Sequence, residues 1–157
     1  SWLDWSKELS DSGKREEAHL LFTAHSVPVA MARASRYEEE IRATAAGVAQ
    51  ELSHPDWSVA YQSRSGSPRD PWLEPDAASV FPELAQQGKR RVVVVPVGFL
   101  FDHTEVLYDL DIEAREAAEA AGLEFLRAPT VMDHPKFVEM LATRITDADA
   151  VRHGSRD

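Results

Sequence analysis

The sequence predicts an α/β fold in which a four-stranded parallel sheet is flanked by helices, in layers of the Rossmann or flavodoxin kind. Four apolar runs alternate with four stretches of helical periodicity, which predicts a series of βα units. The runs are apolar at consecutive positions, as at 92–95, and this is typical of parallel strands that are buried on both faces. At 157 residues with 43% hydrophobic content, the chain is long enough to build one such core.

The elements follow in a regular order along the chain. Trp2, Leu3, Trp5 and Leu9 recur at roughly helical spacing before a polar run, which predicts a short N-terminal helix and loop over 1–18. The α/β domain is expected over 19–148, and 149–157 is expected to be a polar tail. The strands are predicted at 19–24, 57–62, 91–99 and 124–128, and the helices at 36–52, 76–87, 104–121 and 135–147.

Composition excludes several classes of function. Lys and Arg number 17 against 27 Asp and Glu, and the resulting net charge of −10 disfavours nucleic acid as a partner. The chain has no cysteine, so no iron–sulfur cluster can be ligated by cysteine within it. The longest apolar run, 92–101, is too short to cross a bilayer, and the N-terminus lacks a signal-peptide pattern. We therefore expect no membrane span and a cytoplasmic location.

Two histidines fall where ligands bind in open α/β sheets, beyond the carboxyl ends of the strands. His25 follows the first strand, and His103 comes a few residues after the third. A histidine at a strand end is more often a hydrogen-bonding residue than a ligand, and His19, His54, His134 and His153 are interpreted in that way. No glycine-rich phosphate-binding pattern occurs, so a metal or a planar organic ligand fits this edge better than a nucleotide.

The third predicted helix carries an acidic ridge that begins beside His103. Its members lie at steps of four, four and three, within about 80° of one another around a helix: Glu105, Asp109, Glu113 and Glu116. The opposite face, expected to pack on the sheet, holds Leu107, Leu110, Ala114, Ala117, Ala118 and Ala121. Such a stripe is usually a solvated polar face, but like charges at this spacing repel and no lysine in the ridge offsets them. The ridge could therefore hold a divalent cation or pass protons.

A tryptophan between prolines leaves two interpretations open. Trp72, in the segment 70–75, would ordinarily be a packing aromatic of a loop. The prolines on either side stiffen the loop, which would equally suit a rigid stacking wall for a flat ligand.

Three segments resemble the ferrochelatase family in the same order. They are Leu21-Phe-Thr-Ala-His-Ser-Val-Pro28, then Tyr61-Gln-Ser-Arg-Ser-Gly66 with Pro71-Trp-Leu-Glu-Pro75, and then Val95 to Glu113. The sequence around Trp72 most resembles that of the actinobacterial enzymes of this family, which are thought to act on coproporphyrin III. The resemblance implies a chelatase-like fold and a lyase of heme biosynthesis that inserts Fe²⁺, as a substrate, into coproporphyrin III or protoporphyrin IX.

The resemblance also implies roles for individual residues. His25 and Glu105 would be the catalytic and metal-binding pair, and His103, Asp109 and Glu113 would occupy supporting or relay positions. The residues expected at the porphyrin are Trp72, Phe99, Ser26 and Pro28. Two positions depart from the family pattern: Phe101 replaces a small polar residue, and Asp109 stands where a glutamate is frequent.

The resemblance covers only the C-terminal half of such enzymes, so the porphyrin cleft would need a missing N-terminal half or a homodimer partner. Two alternatives stay open: a non-catalytic metal- or tetrapyrrole-binding half-domain, and a homodimeric small chelatase that inserts another divalent metal. For any of these, we expect His25 and His103 at the same edge of the sheet. We also expect Glu105, Asp109 and Glu113 to face a cleft.

Overall fold

A computed structural model describes residues 18–67 and 69–153. Its sheet has four parallel strands in the order β2-β1-β3-β4, so the predicted fold class is confirmed. The strands are β1 (Ala18–His25), β2 (Trp57–Gln62), β3 (Arg91–Val95) and β4 (Glu124–Arg127). The predicted N-terminal helix and loop lie outside the described residues except for Ala18, which begins β1.

Helices cover both faces of the sheet, as predicted. Along β1, Leu20 and Phe22 pack on one side with α1 (Val29–Arg33) and α2 (Tyr37–Glu51). Alternate side chains of a strand point to opposite faces, and Leu21 accordingly packs on the other side. That second layer contains a 3₁₀ turn (Ala77–Ser79), α3 (Phe81–Gln86), α4 (Thr104–Tyr108), a π-helical segment (Asp109–Ala114) and α5 (Arg115–Ala120).

Two predicted elements differ from the structure because of proline. The third strand, predicted to reach residue 99, ends at Val95, since Pro96 has no amide hydrogen to donate to a neighbouring strand. The helix predicted at 76–87 is split in two. Asp76 caps the 3₁₀ turn by accepting from the Ala78 amide, and Pro82 lies in the first turn of the separate helix α3, where proline is favoured.

The third predicted helix is continuous over 104–120 but contains the π-helical segment in its middle. Its buried residues recur at steps of four: Val106, Leu110, Ala114 and Ala118. In a regular α-helix each such step would rotate the face by about 40°. The wider π turn offsets that drift, so all four residues stay on the sheet. The prediction that Leu107 packs on the sheet is wrong, since Leu107 is 40% exposed and Val106 is buried in its place.

The last helix, α6 (Pro135–His153), begins where it was predicted and runs into the segment expected to be a polar tail. Its apolar side chains Val138, Met140, Leu141 and Ile145 are 42–70% exposed. No helix within the described ranges is both long and apolar enough to cross a membrane.

A partly buried polar cluster lies at the amino-terminal edge of the sheet. His19 donates from Nδ1 to Asp56 Oδ1 (3.0 Å) and accepts at Nε2 from Ser58 Oγ (2.8 Å), while Lys89 Nζ lies 2.6 Å from Asp56 Oδ2. Burial lowers the pKa of His19, which favours the neutral ring that this bonding requires. At the same edge, His54 Nε2 donates to the Ala18 carbonyl oxygen (3.0 Å), because a carbonyl oxygen can only accept. Both histidines are hydrogen-bonding residues, as the sequence predicted.

Candidate active site

His25 ends strand β1 at the opposite, carboxyl-terminal edge, and its imidazole faces a carboxylate. His25 Nε2 lies 3.0 Å from Glu105 Oε1, and the two side chains are 34% and 47% exposed. Glu105 is in the first turn of α4, where the helix dipole stabilises a negative charge. The pair is therefore both fixed in place and accessible from solvent.

The other nitrogen of His25 determines where its proton lies. Nδ1 contacts the Ser26 carbonyl oxygen, and because a carbonyl oxygen can only accept, Nδ1 must donate there. Nε2 is then left with either a lone pair or a second proton. Its distance of 3.0 Å from Glu105 Oε1 places an imidazole nitrogen and a carboxylate oxygen close enough to bind one cation between them. Such a pair can take a divalent cation, because imidazole and carboxylate are both suitable ligands.

Phe99 connects the two histidines that the sequence singled out. Its ring centroid lies 6.3 Å from that of His25 and 5.5 Å from that of His103. Both histidines are thus at the same edge of the sheet, and that prediction is confirmed. His103 is exposed, and its backbone is the N-cap of α4, so it begins the helix that carries Glu105.

Gly98 allows Phe99 to approach the first strand so closely. The Gly98 amide donates to the Thr23 carbonyl oxygen (3.0 Å), which holds the segment after β3 against β1. A Cβ at Gly98 would lie 2.6 Å from the Ala24 Cα, a backbone atom with little freedom to move. A side chain at this position would push Phe99 away from His25.

Tyr37 supports His25 from the other face of the sheet. Its hydroxyl donates to the His25 carbonyl oxygen (2.8 Å), and burial raises the pKa of Tyr37, which keeps that hydroxyl protonated. Sequence reasoning missed this residue. It begins a helix, and nothing in its local pattern distinguishes it from an ordinary packing tyrosine.

The acidic residues after Glu105 line a separate cavity of about 200 Å³ at the carboxyl end of β2. Asp109 accepts a hydrogen bond from Ser63 Oγ, and Glu113 lines the same cavity. Gln62 is 3% exposed and also faces this cavity, and its amide has no partner within the described part of the chain. The structure thus places Asp109 and Glu113 together in one cavity, whereas neither Glu105 nor Glu116 lines it. The expectation that Glu105 faces the same cleft as the other two is therefore wrong.

Ser63 is a second residue that sequence reasoning missed, although a signal for it existed. It directly follows β2, and the rule that ligands bind at strand carboxyl ends applies there as much as after β1 and β3. Its backbone φ of 64° is in the left-handed region, which is uncommon for a residue other than glycine. That backbone conformation accompanies the hydroxyl's contact with Asp109.

The loop that contains Trp72 runs beside the extension of β1. Val29 N donates to Pro71 O (2.9 Å), Leu73 N donates to Val27 O (3.0 Å), and Pro28 pairs with Trp72. The indole packs on Gly66, where an added Cβ would lie 2.0 Å from the ring, and Trp72 is partly exposed. The loop is therefore fixed beside the residues that follow His25. This agrees with Trp72 as a packing aromatic and equally with Trp72 as a stacking wall for a flat ligand.

Ser26 lies beneath this loop rather than on its surface. Its side chain is 2% exposed, and its hydroxyl donates to the Leu73 carbonyl oxygen (2.9 Å). The hydroxyl thus ties the loop to the residue that follows His25.

No group of three or more His, Asp or Glu side chains is arranged to hold a metal ion within 18–67 and 69–153. His25 and Glu105 therefore offer two ligands rather than a closed cage. A cation held by two protein ligands keeps coordination positions for incoming atoms.

Comparison with known proteins identifies close relatives. A family model described as ferrochelatase matches residues 4–149. The chain is 45% identical over 148 residues to the coproporphyrin III ferrochelatase of Propionibacterium freudenreichii subsp. freudenreichii, covering 88% of this chain and 42% of that protein. It is 42% identical over 133 residues to the ferrochelatase of Herpetosiphon aurantiacus, covering 84% of this chain and 43% of that protein. It is also 42% identical over 143 residues to the coproporphyrin III ferrochelatase of Mycolicibacterium smegmatis, covering 89% and 41%. The chain thus spans about two fifths of the length of these relatives.

Proposed function

This chain belongs to the ferrochelatase family, and on that premise we propose that it forms the metal-inserting part of a lyase of heme biosynthesis. The reaction places ferrous iron, a substrate, in a porphyrin. The contact of 3.0 Å between His25 Nε2 and Glu105 Oε1 is the observation that carries this proposal. The names of two relatives favour coproporphyrin III over protoporphyrin IX as the porphyrin.

The chemistry of the pair suits metal insertion. Bonds form between Fe²⁺ and the pyrrole nitrogens, two pyrrole protons leave, and the oxidation state of iron does not change. An imidazole nitrogen and a carboxylate oxygen are suitable ligands for Fe²⁺, and the same imidazole can accept a pyrrole proton once the metal has moved on. His25 and Glu105 therefore serve as the place where metal and proton are exchanged.

The cavity lined by Asp109 and Glu113 would give the protons or the metal a route. Asp109, Glu113 and Ser63 lead from Glu105 toward the end of β2, and carboxylates in series can pass either kind of cation. His103 supports the start of the helix and, through Phe99, the ring of His25. In this proposal these residues act in relay and support rather than in the exchange itself.

The porphyrin lies against the aromatic side of the same edge. Phe99 is only 9% exposed and packs against the ring of His25, so a direct contact of Phe99 with the porphyrin stays a prediction. Trp72 is partly exposed and pairs with Pro28 in the adjoining loop, so its ring would offer a stacking face to the macrocycle. Ser26 contributes through its hydrogen bond to that loop, and a direct contact with the porphyrin stays a prediction. Stacking on a rigid wall would hold the macrocycle flat over the metal-exchanging pair.

A partner completes the cleft. Apolar side chains next to the site are 40–58% exposed: Leu100, Phe101, Leu107, Tyr108 and Ile112. Because exposed apolar surface of this kind marks an interaction site, the opposite wall would come from further sequence of a longer protein or from a second copy of this chain. A cytoplasmic location for the reaction also stays a prediction.

The proposal is tested by anaerobic incubation of the purified protein, as its gene encodes it, with Fe²⁺ and either coproporphyrin III or protoporphyrin IX. We expect the metalloporphyrin absorption to develop at a protein-dependent rate, faster with coproporphyrin III. A protein that quenches porphyrin fluorescence but forms no metalloporphyrin, in any oligomeric state, would contradict the catalytic function. That outcome would support a tetrapyrrole-binding domain, whereas insertion of Zn²⁺ or Co²⁺ without Fe²⁺ would support a chelatase for another metal.

A further inference from the structure

Arg127 ends strand β4 and joins two carboxylates with one guanidinium. Its Nε and Nη2 atoms donate to the two oxygens of Asp111, at 2.7 and 3.0 Å, and Nη1 donates to Asp102 Oδ1 at 3.0 Å. The side chain of Arg127 is 12% exposed, so these bonds are largely shielded from water. A paired carboxylate held in this way is among the stronger polar contacts of a protein.

One of the two carboxylates lies just before the helix that carries Glu105, and the other lies within it. Asp102 precedes His103 and also accepts from the Thr130 amide (3.2 Å). Asp111 lies in the π-helical segment, between Asp109 and Glu113. A single guanidinium therefore fixes both the start of this helix and its π turn to the end of β4.

The helix is held at both edges of the sheet. Ser63, after the edge strand β2, donates to Asp109, while Arg127 of the other edge strand β4 holds Asp111. Glu105 meets His25 between these two attachments, because β1 lies inside the sheet. Displacement of the helix across the strands would change the distance between Glu105 and His25.

We propose that Arg127 is a positioning residue for metal insertion, and that it sets the separation of His25 and Glu105 by anchoring Asp102 and Asp111 to β4. This inference depends on the proposed function for its kinetic consequences. In this inference Arg127 contacts neither the metal nor the porphyrin. It acts through the helix on Glu105, and so on the contact between Glu105 and His25.

Substitutions of Arg127 should lower the turnover number more than porphyrin binding. Arg127→Lys keeps the charge, but one ammonium group cannot reproduce the forked contact with Asp111 and reach Asp102 as well. Residues that orient a metal-binding side chain change metal affinity or activity by about 10- to 100-fold when they are replaced. We expect Arg127→Lys and Asp111→Asn to lower kcat by about that factor, with KM for the porphyrin nearly unchanged, and Arg127→Met to lower it further.

Glu124→Gln is the matched control. Glu124 pairs with Arg91 across β3 and β4, the two strands nearest Arg127, but at their amino-terminal end. Its substitution removes an ion pair from the same strands at the edge of the sheet opposite to His25. We expect this variant to lose thermal stability but to keep wild-type kcat below its unfolding temperature.

The experiment uses the protein as its gene encodes it and measures kcat, KM for coproporphyrin III, the thermal midpoint and Zn²⁺ affinity by competition with a chromophoric chelator. Weaker Zn²⁺ binding and lower kcat in Arg127→Lys and Asp111→Asn, but not in Glu124→Gln, would support the inference. Wild-type kcat and Zn²⁺ affinity in Arg127→Lys would overturn it, and so would losses that follow the thermal midpoint in all variants. If the wild type forms no metalloporphyrin, the proposed function fails, and Zn²⁺ affinity, which needs no turnover, still decides the role of Arg127.

Discussion

His25→Ala is expected to lower the rate of metal insertion at least about 10²-fold, which is the lower range for loss of a positioned acid–base group. Porphyrin affinity should change little. The imidazole provides one nitrogen for the metal or the pyrrole proton, whereas most of the contact area with a flat macrocycle would come from Trp72 and the facing wall. A loss that appears in kcat and not in binding is the mark of a group that acts on the reacting atoms.

The comparison needs two measurements on each protein. Anaerobic metalloporphyrin formation gives the rate, and quenching of porphyrin fluorescence gives the affinity. The account would be contradicted if His25→Ala lost affinity and rate by equal factors, because the imidazole would then be a binding group. An unchanged rate would contradict it more directly.

Glu105→Gln is expected to have the second largest effect, with the insertion rate lowered about 10²-fold. Glutamine has nearly the shape of glutamate but no negative charge, and its amide cannot act as a base toward His25 or a pyrrole proton. Its oxygen is also a weaker ligand for a divalent cation than a carboxylate. The rate at saturating Fe²⁺ should fall, and the concentration of Fe²⁺ that gives half of this rate should rise.

Glu116→Gln provides the control for this variant. Glu116 is on the same continuous helix and is exposed, but it does not line the cavity of Asp109 and Glu113. Both substitutions remove one negative charge from one helix, so a general electrostatic effect would appear in both. If Glu116→Gln slowed insertion as much as Glu105→Gln, the specific contact with His25 would not be the cause.

The parts of the site that the sequence predicted are those in which a local pattern coincides with a rule of the fold. His25 and His103 were found because the carboxyl ends of parallel strands meet at one edge. Glu105, Asp109 and Glu113 were found because charges at steps of four lie on one side of a helix. The four parallel strands followed from apolar residues at consecutive positions, of which β3 is the clearest case.

The missed parts depend on contacts between residues distant in the sequence. Arg127 meets Asp111 and Asp102 across 16 and 25 positions, and Ser63 meets Asp109 across 46. An arginine at the end of a strand carries no local sign of its partners. These contacts could have been predicted from the sequence only by placing the carboxyl ends of all the strands at one edge and then pairing opposite charges there.

The π-helical segment was missed for a different reason. Over two turns, apolar residues spaced four apart still lie on one face of a regular helix. Over 106–118 the rotation of about 40° at each step adds up, and a regular helix would no longer keep these residues on one face. The assumption of a regular helix placed Leu107 on the sheet, where the structure has Val106. Repeated steps of exclusively four residues are the signal that would have indicated a wider turn.

The central claim is that His25 and Glu105 together form the place where the metal enters. Its most direct test is the position of Zn²⁺ in crystals of the protein as its gene encodes it, grown without porphyrin and measured on both sides of the zinc absorption edge. We predict an anomalous peak about 2.0–2.2 Å from both His25 Nε2 and a Glu105 oxygen, which disappears in His25→Ala and in Glu105→Gln. Peaks only at other residues, or a peak at this position that survives both substitutions, would contradict the claim.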